Sequence, residues 1–351
     1  MRPSSIGGTM ARLMPSEPAI DTRARPLRDL RISVTDRCNF RCVYCMPREV
    51  FGHDWQYLPR EEILSYEEIA RLAEVFARLG VHKVRLTGGE PLVRRDLDVL
   101  VRMLADNPAI DDLALTTNGS LLAAHAKELA AAGLTRVTVS LDAVDDATFE
   151  RMNDAHVPVS RVLEGIEAAE AAGLGPVKVN MVVKRGWNEQ SVLPMARRFR
   201  ETGRIIRFIE YMDVGHSNGW RLDDVVPASE ILATIAAEFP LEPMVPTRRG
   251  EVAQRYRYAD GAGEIGLVAS VSQPFCGDCV RARLSADGKL FTCLFAVVGH
   301  DLKAVLRGGA PDDEVEARLR RLWAARDDNY SERRSAATTG LEKVEMSYIG
   351  G

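Results

Sequence analysis

Polar and apolar positions follow two rhythms along the middle of the chain. Short runs rich in β-branched residues, at 31–34, 84–87, 113–116, 137–141, 177–181 and 205–209, read as strands. The stretches between them place apolar residues three and four apart, which reads as helix. The clearest helix opens on the capping box Ser65-Tyr66-Glu67-Glu68, carries the stripe Ile69, Leu72, Phe76 and Leu79, and stops at Gly80. Further helices are expected over 95–104, 121–132, 162–172 and 190–200, with Gly133 and Gly173 closing two of them. Strands that alternate with helices imply a parallel sheet with helices packed outside it, in about six βα units. An open doubly wound sheet and a curved barrel of fewer than eight units both satisfy this pattern. No G-x-G-x-x-G follows the first strand, which weakens the dinucleotide-binding version.

The rhythm changes after Pro227. A helix over 229–239, a Pro-containing link at 240–246, short strands at 252–258, 265–271 and 281–284, and a helix over 313–324 predict a smaller α+β region. The expected organisation is a flexible extension over 1–28, a βα domain over 29–240 and a C-terminal domain over 241–351.

Composition narrows the possible activities. Hydrophobic residues make up 46% of the 351, enough for a sizeable core, so global disorder is excluded. A formal net charge of −4 gives no sign of a nucleic-acid or membrane surface, so any anion site must be local. No apolar run is long enough to span a bilayer, and the Pro-, Ser- and Arg-rich start has no secretory h-region. A cytoplasmic chain with reduced thiols is expected.

The six cysteines fall into two triplets, which points to metal rather than to three disulfides. Cys38, Cys42 and Cys45 form C-x3-C-x2-C directly after the first strand, at the end where βα folds place active sites. Three thiolates can hold three irons of a four-iron cluster and leave the fourth open to a small molecule. A zinc site completed by His53 is the plain alternative. Gly88-Gly89-Glu90-Pro91 follows the next strand, where glycines let backbone approach a ligand. Thr116, Ser140, Lys178 and Met212 are expected at the other strand ends around the same rim. Cys276, Cys279 and Cys293 again give three thiols, either a second open cluster or a zinc knuckle completed by His300. Arg281 and Arg283 share one face if their run is a strand, and guanidinium pairs suit phosphate.

The C-x3-C-x2-C spacing, with Tyr44 before the last cysteine, resembles the radical S-adenosylmethionine (SAM) superfamily. The runs 30–42, 87–92, 207–212 and 275–285, together with the terminal Gly350-Gly351, resemble the GTP 3′,8-cyclase family of molybdenum cofactor biosynthesis. The resemblance implies an α/β fold, an incomplete (βα)6 TIM-like barrel with a smaller C-terminal α+β domain. It implies two 4Fe–4S clusters, SAM bound by Tyr44, Gly89, Ser140 and Met212, and GTP bound by Arg31, Arg85, Thr116, Lys178, Arg281, Ala282 and Arg283, with Arg207 joining them. Gly350 and Gly351 are implied to enter the catalytic site beside Arg281 and Arg283. An external electron donor, a downstream cyclic pyranopterin monophosphate synthase and a homodimer are the implied partners. The competing expectations are a radical SAM peptide-modifying enzyme with an auxiliary cluster and a non-catalytic iron–sulfur electron carrier.

Overall fold

The computed structural model describes residues 17–334 and 343–350. Six parallel strands lie side by side in chain order: β1 (Asp29–Ser33), β2 (Lys83–Thr87), β3 (Asp112–Thr117), β4 (Arg136–Ser140), β5 (Lys178–Val183) and β6 (Ile205–Glu210). The helices between them are α1 (Tyr66–Arg78), α2 (Leu97–Ala105), α3 (Leu122–Ala131), α4 (Asp146–Asn153), α5 (Val159–Ala171) and α6 (Val192–Phe199), followed by α7 (Ala228–Ala236). The capping box at Ser65 forms in both directions, and Gly80, Gly133 and Gly173 adopt positive φ where α1, α3 and α5 end. Helix α4 has no counterpart among the expected elements, because its eight residues carry too few apolar positions to mark a face.

The later strands are β7 (Leu241–Pro243), β8 (Gln254–Tyr258), β9 (Glu264–Val268), β10 (Arg281–Leu284), β11 (Lys289–Phe291) and β12 (His300–Asp301). They join the same sheet at both edges. Strand β9 runs parallel to β6, and β10 runs parallel to β1, with Asp29 opposite Arg281 and Arg31 opposite Arg283. Eight parallel strands therefore stand in the order β10-β1-β2-β3-β4-β5-β6-β9, flanked by antiparallel β11-β12 and β8-β7. Helices α8 (Lys303–Arg307), α9 (Asp312–Ala324) and α10 (Met346–Ile349) complete the described chain. Side chains from β10, β1 to β6 and β9 line one cavity, so the sheet curls into an incomplete barrel. No helix among the described residues is long and apolar enough to cross a membrane.

Strand parity explains the cavity. Leu30, Ile32, Val84, Leu86, Val137, Val139, Val179, Met181, Ile206 and Phe208 face the helices and form the core. The alternate positions face inward and include many charged or polar side chains, from Asp29 and Arg31 on β1 to Arg207 on β6, beside apolar ones such as Val182 and Ile209. Parallel sheets buried on both faces usually read as continuous apolar runs. Here only the outer face does, so the barrel is built around a polar space.

The segment expected as a flexible extension is packed from Ala19 onward. Ala19 pairs with Leu79 and Leu27 through its backbone, Ile20 bridges Pro26, and Arg25 and Leu27 are buried. Glu210, at the end of β6, ties the two parts of the chain together. Its buried carboxylate accepts the backbone N–H groups of Ala228 at 2.8 Å, Val271 at 2.7 Å and Ser272 at 2.9 Å. Replacing Glu210 by Ala strands these donors and should cost about 3 kcal/mol or more, whereas Ser65→Ala removes one cap and should cost about 1 kcal/mol. Denaturant unfolding under anaerobic conditions compares the two; equal losses would deny Glu210 its special place.

Candidate active site

The cysteine loop begins where β1 ends, and its course is set by glycine. Gly88 and Gly89 pass against the backbone of residues 35–38, with Gly89 N–H donating to Thr35 O at 2.9 Å and Glu90 N–H to Arg37 O at 2.8 Å. A Cβ at Gly88 would collide with Thr35 O, and one at Gly89 with Arg37 O. The glycines thus admit the cysteine loop itself, in addition to bordering the cavity. The Glu90 carboxylate joins this loop to the end of β3, accepting from Leu92 N at 3.0 Å, Thr117 Oγ1 at 2.7 Å and Asn118 N at 2.7 Å. Burial pushes Glu90 up to about 7, against those three donors.

Cys38, Cys42 and Cys45 are free thiols that border the cavity together. Burial, reinforced by Glu90, pushes Cys38 up to about 12, and burial likewise raises Cys42 and Cys45. Such thiols lose their protons only to a strong local cation, which suits ligands of an iron cluster. His53, the zinc alternative, is fully exposed, contacts Asp54 and does not border the cavity. Tyr44, Gly89, Ser140 and Met212 do border it. The Tyr44 hydroxyl donates to Asp142 Oδ2 at 2.8 Å while Asp142 Oδ1 accepts Val182 N at 2.9 Å. Asn218 Nδ2 donates to the carbonyls of Tyr44, Met212 and Val214, which links the cysteine loop to the loop after β6.

The second triplet sits at the other end of the same space. Cys276 and Cys279 flank a short turn that leads into the start of β10, whereas Cys38 lies beyond the end of β1, which β10 parallels. The five residues of β1 alone separate the two levels by roughly 16 Å. Cys293 follows β11, and all three cysteines border the cavity; His300, on β12, does not. Arg281 Nη2 donates to Cys279 Sγ at 3.5 Å. Burial works to raise Cys279, but Arg281 and Arg326 outweigh it and bring the thiol down to about 6.

The cavity has a volume of about 600 Å³, and its wall between the triplets carries Arg31, Arg85, Thr116, Lys178, Arg207, Arg281 and Arg283. Arg85 Nη1 donates to Thr116 Oγ1 at 3.0 Å and to Thr138 Oγ1 at 3.1 Å, so its fork spans three strands. Burial and then neighbouring guanidiniums lower Lys178 to about 7 and Arg207 to about 10, whereas for Arg281 burial is outweighed by the Cys279 thiolate, which raises it. Asp29 is the inner carboxylate at this level; burial alone would raise it, yet Lys83 and Arg31 hold it at about 2.

Two expected placements need correction. Lys178 is the first residue of β5, not a rim residue at its C-terminal end; the strand runs on to Val183, five residues beyond it. Ala282 points to the helix side and belongs to the hydrophobic core, since it alternates with Arg281 and Arg283. Only its backbone is left for a ligand. Lys83 and Arg136 also border the cavity and were not expected there. Parity alone would find them: Lys83 precedes Arg85 by two residues, and Arg136 precedes Thr138 by two.

The segment after α9 reaches this wall, where Met346 borders the cavity and Gly350 meets Arg283 from outside the lining. Gly350, buried and at φ +74°, accepts a hydrogen bond from Arg283 Nη1 through its carbonyl and packs against Thr87. Gly351 lies outside the described residues.

Two family models match the chain. The model of the radical SAM superfamily matches residues 32–199, and that of molybdenum cofactor synthesis C matches residues 204–332. A GTP 3′,8-cyclase of Acidothermus cellulolyticus is 54% identical, over 96% of this chain and 100% of that protein. One of Staphylococcus aureus is 50% identical, over 94% of this chain and 98% of its own length. Among solved structures, methylornithine synthase is 15% identical with a TM-score of 0.46, covering 60% of this chain and 62% of its own. Coproporphyrinogen III oxidase from Escherichia coli is 14% identical with a TM-score of 0.44, covering 61% and 52%. At half or more of all positions shared, along nearly the whole length of both sequence relatives, this chain belongs to the GTP 3′,8-cyclase family of radical SAM proteins.

Proposed function

We propose that this chain converts GTP to 3′,8-cyclo-7,8-dihydro-GTP, the first step of molybdenum cofactor biosynthesis. One observation carries the reading: a single cavity has a cysteine triplet at each end and, between them, a wall on which cations outnumber carboxylates. A peptide-modifying enzyme or an electron carrier has no use for so many buried positive charges facing one another. A triphosphate does.

Cys38, Cys42 and Cys45 would hold one 4Fe–4S cluster, which, with SAM on its open iron, supplies a 5′-deoxyadenosyl radical from one donated electron. Tyr44, Gly89, Ser140 and Met212, which border the cavity, would contact SAM, and Asp142 accepts the Tyr44 hydroxyl. Cys276, Cys279 and Cys293 would hold the second cluster at the far end of the cavity. Arg31, Arg85, Lys178, Arg281 and Arg283 would bind the triphosphate, and the reaction would require them to hold ribose carbon 3′ toward the radical source and near carbon 8 of guanine. Gly350, held by Arg283 and Thr87, closes the wall beside them. The reaction calls for an external electron donor and a downstream cyclic pyranopterin monophosphate synthase.

The test is direct. Reduced, cluster-loaded protein incubated with SAM should form 5′-deoxyadenosine together with cyclised nucleotide when GTP is present. Equal 5′-deoxyadenosine with and without GTP, and no nucleotide product, would overturn the assignment.

Lys178 gives GTP binding a defined pH dependence. Its amine, lowered to about 7 by burial and then by Arg207, Arg136, Arg85 and Arg248, is charged below that pH and neutral above it. A bound triphosphate favours the charged form. GTP affinity should therefore fall as pH rises past about 7, with proton uptake on binding. Calorimetry in buffers of different ionisation enthalpy measures that uptake, and Lys178→Arg should abolish it; uptake that persists in the variant refutes the role.

Gly350 admits no side chain, because a Cβ there would collide with Thr87 Oγ1 and the φ of +74° disfavours any other residue. Gly350→Ala should keep both clusters and SAM binding yet lose most GTP cyclisation. A variant that cyclises GTP at the unaltered rate would reduce the terminal segment to a structural appendage.

A further inference from the structure

The segment before β1 and the turn after α9 meet behind the second cysteine triplet, outside the cavity. Asp21 lies at their junction. Its Oδ2 accepts from Arg25 Nε at 2.6 Å and from Arg326 Nη1 at 3.1 Å, while its Oδ1 accepts the backbone N–H groups of Arg23 and Arg25, both at 2.9 Å. All three side chains are sealed from solvent, at 0%, 0% and 1% exposure. Thr22 then fastens to Arg326 O through its hydroxyl at 2.7 Å, and Trp323 Nε1 donates to Arg25 O at 3.1 Å.

Where the remaining guanidinium hydrogens point is what matters. Arg25 Nη1 donates to Cys276 O at 2.8 Å and to Asp328 O at 2.7 Å. Arg326 Nη1 donates to Cys279 O at 2.9 Å, and Arg326 Nε to Thr292 O at 3.0 Å. Thr292 directly precedes Cys293. Each of the three cysteine-bearing segments is thus held at its backbone by one of these two arginines. A general core ion pair would have no reason to select those carbonyls. Asp328 also approaches Arg326 Nε at 3.3 Å from a partly exposed position, so Asp21 is the fully buried counter-charge.

Outer-shell partners that orient ligands often decide whether a metal site assembles. We propose that Asp21, Arg25 and Arg326 are positioning residues for the second iron–sulfur cluster, clamping the Cys276, Cys279 and Cys293 segments so that their thiolates converge. The proposal rests on the two-cluster reading above. Residues 17–28 are then the far jaw of the clamp, which binds the start of the chain to a site built by its end.

The test uses the full-length protein, prepared anaerobically with Arg326→Gln and Arg326→Lys. Iron, sulfide and the electron paramagnetic resonance spectrum of the reduced protein are measured, with SAM cleavage at the first cluster as a control. Two four-iron clusters give about eight irons in the unaltered chain. Arg326→Gln should keep about four of them and still cleave SAM, because only the second site loses its clamp. Arg326→Lys keeps the charge but not the fork, and should retain iron with an altered spectrum for the second cluster. Full iron with the unaltered spectrum in both variants overturns the proposal. Loss of both clusters with a lower unfolding midpoint in Arg326→Gln also overturns it, since the network would then be a general brace. An unaltered chain with only about four irons would instead refute the two-cluster reading, whatever the variants do.

Discussion

Like charges forced to face one another govern this structure. Arg31, Arg85, Lys178, Arg207 and Arg283 all project from one curved sheet into one cavity, and each is lowered by burial and by at least one of its neighbours. Burying a cation without a partner costs several kcal/mol. The fold tolerates the arrangement because the outer face of the same strands packs continuously against helices, from Leu30 on β1 to Leu284 on β10. One face stabilises the sheet, and the other is left free to be unfavourable until an anion arrives. A ligand that neutralises the wall then stabilises the whole barrel, since it binds the folded state alone.

The two ends of the space are held by different means. At the first triplet the backbone does the work: Gly88 and Gly89 admit the cysteine loop, and Glu90 locks the next loop to it. At the second triplet, buried side chains far apart in sequence do it, through Asp21, Arg25 and Arg326. The difference follows from position. Loops that follow neighbouring parallel strands touch one another directly, whereas the second triplet stands where a late strand meets the first one and has no βα neighbour to lean on.

What was legible in the sequence was local. The strand runs, the capping box at Ser65 and the glycine stops depend on residues within one turn of each other, and they lie where they were expected. The cysteine spacing was equally local and pointed at once to the chemistry. Parity within a strand carried further: Arg281 and Arg283 share the inner face, and the same rule sends Ala282 outward, against the family-based expectation. Pairings made across the chain were not legible. Nothing near Asp21 announces Arg326, and nothing near β1 announces β10, because both contacts join segments about 250–300 residues apart whose own patterns are complete without them.

That last pairing has a bearing on how the protein is made. The chain is synthesised from β1 onward, yet the neighbour of β1 on one side is β10, and the outer neighbour of β6 is β9. While the ribosome is still working through the middle of the message, the growing sheet therefore has two bare edges, each a row of unpaired backbone donors and acceptors. Those edges are also templates for strands of other chains. Closure waits for residues 254–291, and the clamp on the second triplet waits longer still, for Arg326. A nascent chain of this design can fold most of its helices early but cannot shelter its charged interior until β9 and β10 have been made.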